Sequence, residues 1–253
     1  MRRRMSNASD KADRLMNQKT KSLIKQNFSY KESRGTIIAD RKEAIGAARL
    51  AIQEHRKQLQ KYIKQNPAFL YSLEPVSIDK GTLVAERMAD ASEEASVGPM
   101  AAVAGVLADL AVDAMVHSGA EVAVVEDGGE ASATSNIPID VALQAGQSLL
   151  SKRIGFRLDR FPIGLATSSG KYSHALSFGD ADAVTIFAEN AGLADAAATA
   201  IGNLVKGTNI EEAIKRGLTK ALSIRGVRGA FILYEERVGQ AGEIPETIGI
   251  EDT

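Results

Sequence analysis

Asp195 and Thr199, a carboxylate and a hydroxyl four residues apart, stand in an alanine-rich run with almost no side-chain bulk. On a helix that spacing stacks both groups on one face. Two oxygen donors with room around them suit a hard cation and a polar ligand. The same stretch, Thr167 to Asn203, opens with Thr167, Ser168, Ser169 and Gly170, small groups that can cradle phosphate through hydroxyls and amides. His174, the last of three histidines, follows, and then a glycine-acid turn at Gly179-Asp180. Two further stretches could wall such a site. Gly98, Pro99, Met100 and Ala101 open a helix, whose unpaired first amides favour an anion. Glu126-Asp127-Gly128-Gly129-Glu130 ends a strand in a turn that lets a ligand touch the main chain.

Each of these stretches also has a plainer explanation. The Gly98 stretch can be helix punctuation with tight packing, and the double-glycine turn can be a simple hairpin. Asp195 can be an acid favoured by the dipole at a helix start, and Thr199 a small residue among alanines. His55 lies among Glu54, Arg56 and Lys57 and reads as solvent-facing, while His117 fits a cation at a helix C-terminus.

Apolar spacing supplies the elements that must position these groups. A hairpin is predicted from Phe28 to Ile38, turning near Ser33-Arg34-Gly35, and then a helix from Arg41 to Gln65 that stops at Asn66-Pro67. The segment PAFLYSLEPV from Pro67 reads as extended, packing its aromatics as a core lid. Helices follow over Val84 to Ala95 and from Pro99 to a stop at Gly119. Strands are predicted at Glu121–Val125, Arg153–Leu158, Ile163–Ala166, Val184–Phe187 and around Phe231–Tyr234, with further helices at Asp140–Leu150 and Ile210–Leu222. The alanine-glycine runs 100–108 and 194–202 are alike and hint at two similar halves. With no Pro/Ser-rich linker, the organisation expected is a basic flexible tail over 1–26, one α+β domain over 27–238 and a loose acidic tail over 239–253.

The 253 residues can bury a sizeable core, and 44% hydrophobic with 25% charged residues is an ordinary globular balance. A net charge of -1, no tryptophan and 5% aromatics give no pull toward nucleic acid or an anionic membrane. Without cysteine there is no disulfide, thiolate metal site or sulfur nucleophile. No run of uninterrupted apolar residues reaches the roughly 18 of a membrane span. The basic N-terminus leads into no apolar segment, so it does not read as a secretory signal. A cytoplasmic protein is expected.

The Thr167–Asn203 block, with GPMAAVAG from Gly98 to Gly105, EDGGE and YIKQNPAFLYSLEPV, resembles the ApbE-like superfamily, most closely its short, uncharacterised branch. The similarity runs from about Phe28 to Glu235. Characterised members of the superfamily are FAD:protein FMN transferases. The resemblance implies an ApbE-like α+β fold, with mixed or antiparallel sheets and packed alanine-rich helices. It also implies a site between helix starts and glycine turns. In the transferases an ADxxxT pattern supplies a carboxylate and a hydroxyl to magnesium, and Ala194-Asp195 to Thr199 match it. The glycine-acid turn that lies against the flavin nucleotide matches Val125 to Glu130, with Asp127, Gly128 and Gly129 at its tip. His174 takes the place of the histidine that opens an HIxDPxTG loop, but the DPxTG part is absent. The lysine of the GxAKG helix start is absent too.

The function expected is therefore binding of a flavin nucleotide, FAD or FMN, or a similar pyrophosphate ligand, with Mg2+. If the protein is catalytic, FMN would pass from FAD to a hydroxyl of an acceptor protein, with His174 positioning a phosphate or relaying a proton. The alternatives are a non-catalytic flavin- or nucleotide-binding module and a metal-dependent enzyme acting on another small molecule. A homodimer is implied by the resemblance alone, and no nucleic-acid or membrane partner is expected.

Overall fold

The computed structural model describes residues 23–143, 145, 148–169 and 179–250. Eight strands form one antiparallel sheet in the order β1-β2-β3-β4-β7-β8-β9-β10. They are β1 (Ile24–Tyr30), β2 (Ser33–Ala39), β3 (Val122–Asp127), β4 (Glu130–Ser135), β7 (Ile163–Ser168), β8 (Ala183–Ala188), β9 (Val227–Tyr234) and β10 (Arg237–Gly242). A second sheet has the order β11-β6-β5, with β5 at Ile139–Ala142, β6 at Ile154–Leu158 and β11 at Glu246–Gly249. The helices are α1 (Lys42–Gln65), α2 (Pro67–Tyr71), α3 (Leu83–Ala95), α4 (Val103–His117), α5 (Ala191–Leu204) and α6 (Ile210–Leu222), with a 3-10 turn at Pro99–Ala102 before α4.

Strand alternation divides the large sheet between two layers. Val125, Ala166, Val184, Ile186, Ala230 and Ile232 face the helices. Ala131, Leu165, Phe187 and Phe231 face the small sheet, where Phe156 meets Phe187 edge-on at a 4.9 Å centroid distance. Both faces are dry, so the strands of the centre read as near-continuous apolar runs; β8 is buried at all of its positions. The architecture is α+β, as the sequence predicts.

Several elements differ from the expectation. The first hairpin turns at Lys31, which takes the left-handed conformation at φ 54°, and Ser33-Arg34-Gly35 already belongs to β2. Gly35 serves close strand approach, because a Cβ there would sit 1.8 Å from Glu126 O. PAFLYSLEPV begins with the short helix α2, with proline at its first turn, and Phe69 packs edge-on against Tyr62. The helix expected over Asp140–Leu150 is instead strand β5 followed by a turn. Pro138 precedes it, Ile139 is buried, and Asp140 pairs outward with Arg157 at 2.8 Å. Where a loose tail was expected, β10 and β11 extend two sheet edges; their glycines and polar residues hid the strand pattern because an edge needs little apolar side chain. The basic tail expected over 1–26 lies outside the described residues up to position 22, and β1 starts at Ile24.

Among the described residues one helical stretch, Pro99–His117, has the length and apolarity to cross a membrane, and 61% of it is buried inside the protein. It is held in the interior by α1, α3, α5 and strands β3, β4 and β7, which all pack on it. It also carries Asp109 and Asp113.

Candidate functional site

Alternation decides which groups can share a site. Ala131 and Ala133 point to the small sheet, so Glu130, Ser132 and Thr134 point to the helices. On β7, Leu165 faces the small sheet and Ala166 the helices, so Ser168 lies on the helix side and Thr167 on the other. Thr167 accordingly shares a 2.9 Å hydroxyl bond with Thr185 of β8, away from α5. The turn at Gly128-Gly129 adjoins this strand end: a Cβ on Gly129 would sit 3.8 Å from Thr167 O. Ser169 is half-buried at the last described position of the strand end, and Gly170 and His174 lie outside the described residues.

Helix α5 presents Asp195, Thr199 and Asn203 as a partly buried polar stripe on a helix buried at most of its other positions. The i, i+4, i+8 spacing predicts this common face, and the structure has it. Asp195 also faces the start of α4, where its Oδ2 accepts the Gly105 N–H at 3.0 Å with the Ala104 amide alongside. The approach is tight because both helices are made of small residues there. A Cβ on Gly105 would meet Ala191 O at 2.1 Å, and one on Gly192 would meet Val106 Cγ2 at 2.5 Å.

The crossing is reciprocal. Asp109 of α4 reaches the start of α5, where Oδ1 accepts the Ala191 N–H at 2.9 Å and Oδ2 the Gly192 N–H at 2.8 Å. Each helix thus lends a carboxylate to amides its neighbour leaves unpaired. Asn190 completes the α5 cap by accepting the Leu193 N–H at 2.8 Å.

Burial and crowding of like charge raise the proton affinity of these acids. Asp195 is pushed up to about 7, first by loss of solvent and then by the negative charges of Asp127 and Asp109. Glu130 is held well above the usual carboxylate range by burial, then by Asp195 and Asp127. Asp109 is raised by burial, against the pull of its bonds to Ala191 and Gly192 and the Ser132 hydroxyl beside it.

Asp127 has a structural task. Only 4% of its surface is exposed, Oδ1 accepts the Arg34 N–H at 2.9 Å, and Ser33 and the Arg56 guanidinium lie close by. It clasps β2 to β3 below the turn. The turn itself closes through the Gly129 N–H to Glu126 Oε1 at 3.2 Å, with φ of 79° at Gly128 and 124° at Gly129. These left-handed conformations explain both glycines and leave backbone exposed at Gly128.

The Gly98 stretch divides differently from the anion-site expectation. A Cβ on Gly98 would sit 1.9 Å from Ser72 O, and Pro99 is buried, so packing accounts for both. Met100 and Ala101 remain half-exposed beside α5. Of the other histidines, His55 is half-buried rather than solvent-facing, and exposed His117 contacts Asp113 O at 2.6 Å in the last turn of α4.

Asp109 escaped sequence reasoning as a site residue, and Glu130 was named only as part of the glycine turn. Glu130 was visible at the first position of a strand, where parity sets it on the face of Ser132. Asp109 was visible as a charge in the middle of a helix whose neighbouring positions are apolar, and such a charge needs partners. A cavity of about 840 Å³ opens on the Asp109 side of the crossing, lined by Ser132, Asn190 and Leu193 among others, and its walls do not include Asp195 or Thr199. Among the described residues no three His, Cys, Asp or Glu side chains converge to hold a metal ion. Asp195 and Glu130 offer carboxyl oxygens, and a cation here would complete its shell with the Thr199 hydroxyl, water or ligand oxygens.

The family described as AbpE bacteria matches residues 14–226. A UPF0280 protein of Methanococcus vannielii is 38% identical over 234 residues, covering 90% of this chain and 94% of its own. One of Methanothermobacter thermautotrophicus is 40% identical over 195 residues, 76% of each chain. The flavinyl transferase ApbE of Pseudomonas stutzeri shares the fold at a TM-score of 0.60 and 16% identity, covering 87% of this chain and 94% of that one. The ApbE protein of Thermotoga maritima does so at 0.59 and 12%, covering 87% and 97%.

Proposed function

Because this chain belongs to the AbpE bacteria family, we propose that it binds a flavin nucleotide, FAD or FMN, or a similar pyrophosphate ligand, together with a divalent cation. The site is the notch where the Asp195–Thr199 stripe of α5 meets Glu130 and the Gly128-Gly129 turn. The observation that carries this reading is Asp195 itself: partly buried, oriented by the Gly105 amide, and pushed up to about 7 in company with Glu130. Acids crowded in this way attract a proton or a cation.

Oxygen donors of this kind fit Mg2+, which prefers one or two carboxylates and keeps positions for water and phosphate. Asp195, Thr199 and Glu130 would hold the ion, which when bound would supply Lewis acidity toward a pyrophosphate oxygen. The chain's own groups do the rest. Gly128 and Gly129 allow close approach of the ligand to the backbone, Ser168 offers a hydroxyl on the same face, and the amides at the start of α4 orient Asp195. His174 is assigned the phosphate-positioning or proton-relay role on the strength of the family motif.

Solved structures of this fold from two organisms are named flavinyl or flavin transferases, and FMN transfer is the reaction we carry over from them as a proposal. FAD would be split at its pyrophosphate, FMN joined to a protein hydroxyl and AMP released. Incubation with FAD, Mg2+ and candidate acceptor proteins, following AMP, tests this; AMP release that Asp195→Asn abolishes is the expected result. A second reading, flavin binding without transfer, is favoured by the absent DPxTG loop and helix-start lysine. Calorimetric binding of FAD with no AMP from any acceptor would select it, and no binding of flavin or dinucleotide would defeat both.

A further inference from the structure

The words Ala104-Gly105-Val106-Leu107-Ala108-Asp109 and Ala191-Gly192-Leu193-Ala194-Asp195 are near-copies, and they lie at the one place where α4 and α5 cross. In each, the glycine admits the partner helix and the acid bonds the partner's first amides. The two clasps are geometrically linked. Asp109 fixes Ala191 and Gly192, the first turn of the helix that carries Asp195. Asp195 in turn bonds Gly105, one turn before Asp109.

We propose that Asp109 is a positioning residue for the Asp195 carboxylate, holding it at the α4 start with one face toward Glu130. The proposal rests on the reading of Asp195 as a cation-binding acid. Asp109 itself is 9% exposed and has both oxygens occupied by the Ala191 and Gly192 amides. It lines the cavity on its side of the crossing, yet both oxygens are bonded to amides, so it acts on Asp195 through the register of two helix ends. Loss of its two bonds frees the first turn of α5 to shift, and Asp195 sits in the following turn. The small-residue crossing transmits such a shift directly, because no flexible side chain lies between the backbones at Gly105 and Ala191.

Mn2+ serves as the probe, with affinity measured by calorimetry or by its paramagnetic signal on the folded full chain. Wild type should bind, Asp195→Asn should lose binding, and Asp109→Asn should bind about tenfold more weakly, the effect typical of a residue that orients a metal ligand. Asp109→Glu, which keeps the charge and the acceptor pair, should recover part of that loss. Amide exchange at Gly105 supplies a readout free of metal: Asp109→Asn should speed it, while amides in the middle of α4 keep their protection. Wild-type Mn2+ affinity in folded Asp109→Asn, or unchanged Gly105 exchange, overturns the proposal. If wild type binds no Mn2+, the cation reading of Asp195 fails and the exchange result alone decides the positioning claim. Should Asp109→Asn not fold, Ser132→Ala removes only the hydroxyl beside Asp109; a two- to threefold weaker affinity supports the proposal and an unchanged one overturns it.

Discussion

The starts of α4 and α5 use the same device to opposite ends. At α5, Asp109 is buried and each oxygen has an amide at 2.8–2.9 Å, so its charge is fully spoken for. At α4, Asp195 is partly buried, shares the stripe with Thr199 and feels the charge of a second raised acid, Glu130. A carboxylate saturated by buried amides is scaffold, whereas one oriented by an amide and opposed by another acid retains something to offer a cation. The difference lies in the strand below: Ser132, neutral, stands beside Asp109, and Glu130 stands beside Asp195.

If that contrast is right, Asp109→Ala should be the more damaging of the two acid deletions. It removes two charge-assisted bonds and strands two buried amides, a loss of about 3 kcal/mol in urea unfolding. Gly105→Ala should follow, at about 2 kcal/mol, because a methyl 2.1 Å from Ala191 O must push two rigid backbones apart. Asp195→Asn should leave neutral-pH stability within about 1 kcal/mol of wild type, since it also removes repulsion from Glu130, yet reduce divalent-cation affinity at least tenfold. Equal destabilisation by the two acid variants would erase the distinction between scaffold and site.

The pH dependence sharpens the comparison. An acid held at about 7 when folded and at about 4 when unfolded binds its proton more tightly in the folded protein. Its contribution is therefore favourable at low pH and is lost as pH rises through about 7. Asp109, Glu126, Asp127 and Glu130 are also raised and add with the same sign. Melting temperature without added metal should fall between about pH 5 and about pH 8, and Asp195→Asn should flatten the slope. Added Mg2+ should restore part of the loss at the upper end in wild type only. The smallest effect is expected at Thr167→Val, under about 1 kcal/mol with cation affinity unchanged, because its hydroxyl bonds Thr185 on the far side of the sheet.

Much of this was legible in the residues alone. The alanine helix with Asp195 and Thr199 on one stripe, the Gly128-Gly129 turn, the helix from Ile210 to Leu222 and the family itself follow from period, glycine placement and motif, all local in the chain. Helical spacing fixes which residues share a face wherever the helix packs. What the local pattern could not supply was the pairing of distant segments. Thr167 and Ser168 look equivalent in sequence, but the register of β7 against β8 sends one to each side of the sheet. The Gly98 stretch looked like an opening for a ligand, and only the approach of Ser72 shows Gly98 filled by neighbouring backbone. Asp109 and Asp195 are two copies of one acidic word, and nothing in either copy tells scaffold from site. On the proposed reading the strand residue each one meets makes that difference, because a carboxylate's chemistry is set by its surroundings in space.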